Sequence, residues 1–407
     1  MRPRLPGFTR GRAVALAWAL ALAAAAVGPA VWLLGSDGEA RPAAAAAGAR
    51  DTSPHPVAGS FAPDRTELSD CGSDQPCLEQ AFGNLAFREG PQAALRTFDA
   101  KMLTDRVVES GCHRIAHLIG SGALARYRGD VGRAFSEGSA SCWSGYYHGI
   151  LERAFSGVSG EPQVVKTARR LCAGQVVRRT QWLAYQCVHG LGHGLMLQSG
   201  YDLPFSLRVC DRLRTGWDRS SCSGGIFMEN INGAEKTAYG FKTRWLRDGD
   251  LVYPCNAVAE RHKLYCYLMV TSRILQANDF DWQAAARICA AVERVWVATC
   301  FQSLGRDASG SSRQEPGRIL ELCAHARSSL SDCLYGAARD ITSNDAGGAR
   351  AAELCERAPL EARLQCFNGI GTIVGTLVAT DAARRDACAR LTRSYLRTCV
   401  RGAGGSA

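Results

Sequence analysis

Five histidines and one glutamate between residues 113 and 193 fall in pairs that suit metal coordination. Residues 112–120 read CHRIAHLIG, which sets His113 and His117 four apart. Residues 187–194 read CVHGLGHG and do the same for His189 and His193, while GYYHGILE places His148 and Glu152 at that spacing. On a helix, residues four apart stand on one face with β-carbons about 5–6 Å apart, so two imidazoles, or an imidazole and a carboxylate, meet one ion. Six such groups exceed one closed tetrahedral site and leave room for two ions, or for one with open positions. With the cysteines oxidised, the donors are nitrogen and oxygen, which suits zinc, copper or non-haem iron. Such an ion would bind oxygen or activate water, so oxidative and hydrolytic chemistry are both open.

The set is similar in ligand inventory to the carboxylate and histidine centres of hemerythrin-type and di-iron bundles. HExxH and Glu-x-x-His are missing, so neither a metalloprotease nor a ferritin-like assignment follows. The competing reading makes the histidines capping or core residues of a non-catalytic scaffold, which binds a protein or peptide on the concave face that solenoids present. Glycines weigh against it. His189-Gly190-Leu191-Gly192-His193-Gly194 is a poor helix by propensity, at about 1 kcal/mol per glycine relative to alanine, and implies close backbone approach to a neighbouring helix or a bound group.

The elements that position these residues are marked by cysteines. The chain has 18, an even number at regular spacing, as an oxidising compartment permits. They fall in couples, 71/77, 112/142, 172/187, 210/222, 255/266, 289/300, 323/333, 355/366 and 388/399. From Cys266 to Cys399 the second members recur every 33 or 34 residues, the period of a helical-hairpin repeat. The first cysteine of a unit ends a short Ala/Leu-rich stretch such as WQAAARIC, and the second opens another such as CFQSLGR. Alternating β-branched runs are scarce, so two helices joined by a turn and stapled by their own disulfide are expected. The fold class is therefore all-α, a disulfide-stapled helical-hairpin solenoid. It resembles, in architecture only, Sel1-like and tetratricopeptide repeats, and no residue role is carried over from them.

Counting from the second cysteine, glycine stands at plus three in Gly145, Gly190, Gly225, Gly336 and Gly369. Plus six is, in order, His148, His193, Met228, Ser272, Arg306, Arg339 and Thr372. At about 100° per residue, plus two, plus six and plus ten share a face turned away from the cysteine. Stacked repeats would bring His148, Glu152, His189 and His193 into one column. His113 and His117 are one register off, so their membership depends on how the first hairpin is set. Met228 would add a soft donor to the column or pack in the core. Arg306 and Arg339 continue the column, where arginine forks would suit an anionic substrate or a peptide carboxylate, but solvated repeat surface is the stronger reading. Tyr146, Tyr147 and Trp143 form an aromatic wall beside the site, and Trp182, Trp217 and Trp296 are packing devices in the hairpin turns. His55, His262 and His325 have no spaced partner and are left out.

The formal net charge is +10, from 48 basic and 38 acidic residues, and only five of the basic ones are lysines. The arginines form no basic run, which excludes a nucleic-acid surface. GxSxG, a P-loop and a strand-opening GxGxxG are all missing, so nucleophilic and nucleotide chemistry are excluded too. Arg2, Arg4, Arg10 and Arg12 precede an uncharged apolar run over 13–34. That length suits a single-pass anchor with its basic end inside. Gly28-Pro29 interrupts the run and Gly38-Glu39-Ala40 offers a cleavage site, so a signal peptide and a secreted or periplasmic protein are the alternative. The expected organisation is an export segment over 1–34, an Ala/Pro-rich tether over 35–70, histidine-bearing repeats over 71–240 and further stapled hairpins over 241–407.

Overall fold

The computed structural model describes residues 61–139, 141–233, 243–344 and 348–405. The expected export segment, tether residues 35–60 and the boundary at 240/241 lie outside them. Among the described residues no helix is long and apolar enough to cross a membrane.

The protein is all-α. Among the described residues the only bridge of β type is an isolated pair, Arg247 with Asp250. Long inner helices carry the stack: α1 (Gln75–Glu89), α2 (Cys112–Arg126), α3 (Ser141–Phe155), α4 (Gln181–Gln198), α5 (Gly216–Met228), α6 (Val270–Ala277), α7 (Val297–Ser311), α8 (Leu330–Asn344), α9 (Leu360–Leu377) and α10 (Leu396–Gly402). Successive inner helices from α1 to α5 pack side by side, as do those from α6 to α10. Shorter helices such as Leu203–Asp211 and Pro316–Cys323 precede them on the outside. Side-chain caps start many of these elements: Thr180, Thr215, Asp202, Asp281 and Thr380 each accept a backbone N–H three residues on, satisfying a donor that the first turn leaves free. α4 is buried on nearly every side, as expected of a helix apolar all round. One continuous core of cysteine, alanine, leucine and aromatic side chains runs from Cys71 to Ala403.

All nine disulfides form within the couples read from the spacing, and no described cysteine is free. Most close a loop of 10–15 residues, which raises stability by about 3 kcal/mol each in the chain-entropy model. Cys112–Cys142 differs from the expectation of one staple per hairpin. Both cysteines open inner helices, so this bond ties α2 directly to α3. Nine closed disulfides suit a protein kept in an oxidising, extracytoplasmic compartment.

The last ten residues of the expected tether are not a tether. Phe61 is buried beside Leu118 and Phe87, its carbonyl accepts from Arg153, and Asp64 and Asn84 exchange hydrogen bonds of 2.6 and 3.0 Å. A single aromatic anchor and a satisfied Asp/Asn pair offset the ordering cost that the polar composition alone would not. At the other end of the stack, α4 touches α9, and Arg313 reaches Glu109 at 3.0 Å. The repeats curl until early and late units meet.

Candidate metal centre

All six expected residues converge where α2, α3 and α4 lie side by side. The glycines make this approach possible. A Cβ on Gly149 of α3 would overlap the backbone carbonyl of His117, and one on Gly225 of α5 would overlap that of His189. The close approach implied by the glycines is thus to neighbouring helices. That approach carries histidines from adjacent helices into contact.

Two histidine pairs face one another through Nε2. His113 and His117 are 3.1 Å apart there, and His189 and His193 are 3.4 Å apart. In each pair the opposite nitrogen is held by a partner. His113 Nδ1 lies 3.0 Å from the Cys142 carbonyl, which accepts only, so Nδ1 is the protonated nitrogen. His117 Nδ1 is 2.5 Å from Glu152 Oε1, and His193 Nδ1 is 2.7 Å from Glu229 Oε2. Tyr185 Oη stands 3.4 Å from His189 Nδ1. The carboxylates are themselves oriented, since Tyr201 donates to Glu229 Oε1 at 2.6 Å. A histidine held at Nδ1 by a carboxylate or carbonyl presents a bare, basic Nε2, the arrangement around metal-bound histidines.

His148 sits between the pairs, with ring centroids 5.3 Å from His113, 5.4 Å from His117 and 6.0 Å from His189. It stacks on His193 at 3.9 Å. Both of its ring nitrogens are buried without a hydrogen-bond partner. Candidate donor atoms therefore form two triads, His113, His117 and His148, and His148, His189 and His193, each with its atoms within 4.8 Å of one another. Two nitrogens on one ion stand at most about 4.2 Å apart, twice a metal–nitrogen bond, so small rotations close either triad. Glu152 and Glu229 supply the outer contacts rather than a place in a triad.

Burial depresses the basicity of most of these rings. His113, His189 and His193 are each lowered to about 3, by desolvation first and then by neighbouring imidazoles. His148 is pushed well below the ordinary value for the same reasons. His117 moves up: burial acts downward on it, but the charge and contact of Glu152, with Glu229 behind it, outweigh that. At neutral pH the centre is thus a set of largely neutral imidazoles with two carboxylates behind it, suited to a cation.

Glu229 was not among the expected ligand-set residues, although it flanks the column. It stands 36 residues after His193, as Glu152 stands 35 after His117. The column placed Met228 at plus six, but it is Glu229 at plus seven, still in α-helical geometry with its N–H on the Gly225 carbonyl, that points in to His193, while Met228 stays partly exposed. The register offset of His113 and His117 has its cause in Cys112, which opens an inner helix. Tyr147 packs on Phe135 and Trp182 as the aromatic wall expected, and Tyr146 donates to the Ala134 carbonyl. Trp182, Trp217 and Trp296 pack on Tyr147, Tyr185 and Tyr267 of neighbouring helices. His262 pairs with Asp211 at 2.9 Å, away from the centre. Arg306 corrects its expectation: its side chain is only 17% exposed and bonds Ser272 and Asp307. Surface cavities of about 190 and 270 Å³ are lined by none of the six residues. No protein-family model, curated protein or solved structure matched the chain.

Proposed function

We propose that the protein is an extracytoplasmic metal-binding protein with a two-ion histidine centre, displayed on the outer side of a membrane through residues 1–34. His113, His117 and His148 would hold one ion, and His148, His189 and His193 the other. The observation that carries the reading is the facing of paired Nε2 atoms whose opposite nitrogens are already engaged, with an unpartnered His148 between the pairs. With His117 raised beside Glu152, its Nε2–H can donate to His113 in the metal-free protein, and a bound cation would take the place of that shared proton.

Within this centre the chain's own groups have distinct tasks. Glu152 and Glu229 hold the Nδ1 protons of His117 and His193 and raise the donor strength of Nε2. The Cys142 carbonyl, itself beside the disulfide to α2, fixes His113. Desolvation keeps most of the rings unprotonated and ready to ligate. A bound zinc, copper or iron ion would supply Lewis acidity or one-electron chemistry there. The scaffold reading ranks second, since it leaves the buried, unpartnered His148 between the pairs without a role.

The test is elemental analysis of the full chain, exported to an oxidising compartment and purified without a metal-binding tag, alongside a free-thiol assay. About two ions of one transition metal per chain and no free thiol are expected. A folded, metal-free protein that takes up neither zinc nor copper on titration would overturn the reading.

A further inference from the structure

Away from the histidine centre, a cavity of about 270 Å³ opens between the outer helix Leu203–Asp211, the loop over residues 244–259 and the helix Glu260–Tyr267. Its walls are apolar and aromatic, with Leu203, Leu207, Trp245 and Tyr253 among them. Trp245 is held in place, since its Nε1 donates to the Tyr201 carbonyl at 2.7 Å. The basic side chains Arg208, Arg261 and His262 also line the cavity, and no carboxylate does. Asp211 lies outside the lining and is already engaged: Oδ2 accepts from Arg261 Nε and Nη2 at 3.1 and 2.9 Å, and Oδ1 stands 2.9 Å from His262 Nε2. Glu161 comes no closer to Arg208 than 3.7 Å. The His262 side chain is only 6% exposed, yet among the described residues no hydrogen bond reaches its Nδ1. Arg247 sets a further cation 3.6 Å over the Tyr253 ring.

In an apolar cavity a few polar groups choose the ligand, and here all of them are basic. Arg261 Nη1 and the Arg208 guanidinium make no hydrogen bond among the described residues, so both keep donors for an anion, and a carboxylate matches the planar fork. Asp211 accepts from Nε2–H of His262, which leaves Nδ1 for a ligand as well. An apolar cavity of about 150 Å³ takes a benzene ring, so this one has room for a ring and a short acidic arm. We propose that the cavity binds a small organic carboxylate with an aromatic body, the ring against Trp245 and Tyr253 and the carboxylate on Arg208, Arg261 and His262. An inorganic anion would leave the aromatic walls unused, and an aromatic amine would meet like charge. The inference does not rest on the metal-binding function, since none of the six expected ligand residues lines the cavity.

Isothermal titration of the full chain with sodium phenylacetate tests it, with sodium acetate and phenethylamine as the probes that lack the ring and the negative charge. Saturable binding of one phenylacetate per chain is expected, with both other probes weaker by about tenfold or more. Arg208→Ala and Arg261→Ala should each weaken phenylacetate about threefold, and the double variant about tenfold, the scale of exposed charge contacts. The affinity should be the same before and after chelator treatment. Thermal melts identify any variant that fails to fold; Arg261→Ala also frees Asp211, and if it unfolds the exposed Arg208→Ala carries the comparison. The site is overturned by no saturable binding of phenylacetate, by phenethylamine binding as tightly, or by equal affinity in wild type and a folded Arg208→Ala. Binding that is lost on chelation would place the carboxylate on a metal ion and overturn it too.

Discussion

The histidine-bearing helices α2–α4 and the arginine-bearing helices α7–α8 are built from the same parts. Both use a staple at the start of most inner helices and an inward residue at plus six, and α3, α4 and α8 also carry a glycine three residues after the staple. A Cβ at Gly336 would overlap the Gln302 carbonyl, as one at Gly225 overlaps that of His189. What differs is the balance of the inward groups. The arginine region has mostly closed its account locally, with Asp307 tied to Thr271, Ser272 and Arg306. The histidine region turns ring nitrogens toward each other, 3.1 and 3.4 Å apart, and leaves His148 buried between the pairs without a hydrogen-bond partner. The comparison teaches that this scaffold tolerates very different polar interiors, because disulfides and close helix packing hold the backbone.

The sharpest way to break the comparison is at His148, which both triads share. His148→Ala should abolish binding of both ions, whereas His113→Ala or His189→Ala should each remove about one, by elemental analysis. Loss of only one ion with His148→Ala would show that the triads are independent. Next in size are the paired cysteines. Replacing Cys210 and Cys222, or Cys355 and Cys366, by alanine should each cost about 3 kcal/mol in denaturant unfolding. Only the first pair lies beside the histidine centre, so only that variant should also weaken metal uptake.

Glycine substitutions come third. Gly225→Ala and Gly336→Ala should each destabilise by about 1–3 kcal/mol through overpacking, read as a fall in melting temperature. Metal content should fall in the first and stay unchanged in the second. A smaller and opposite contrast lies in pH. In metal-stripped protein, His113, His189 and His193 have folded values of about 3 against an ordinary 6.5. The unfolded chain binds the extra protons, so stability is present above 6.5 and is lost as pH falls toward 3. Asp340 has the other sign: raised from 3.8 to about 6, it contributes stability below 3.8 that is lost as pH rises through 6. Asp340→Asn should therefore flatten only that second slope in melts between pH 4 and 7. An unchanged slope would place the ionisation elsewhere.

Much of this was legible in the chain because it depends on local spacing. Cysteine gaps of 10–12 residues can only close on themselves when both ends sit on adjoining helices, so the pairing followed from the period. The i, i+4 histidines were bound to share a face once helices were granted, and the plus-three glycines marked where neighbours come close. What escaped was long-range or register-dependent. Glu229 enters from plus seven, one position beyond the counted column, and is drawn in by its contacts to His193 and Tyr201. Phe61 shows its value only when Leu118 is beside it. Arg306 reads as solvated from its own repeat, and is largely covered because the neighbouring helix brings Met269 and Ser272 against it beside Asp307. The chain by itself determined the helical hairpins, their staples and the identity of the donor groups, since each rests on contacts within one or two repeats. Which donors face each other and which nitrogens are left bare were decided by tertiary structure alone, because they depend on how far one helix slides and turns against the next.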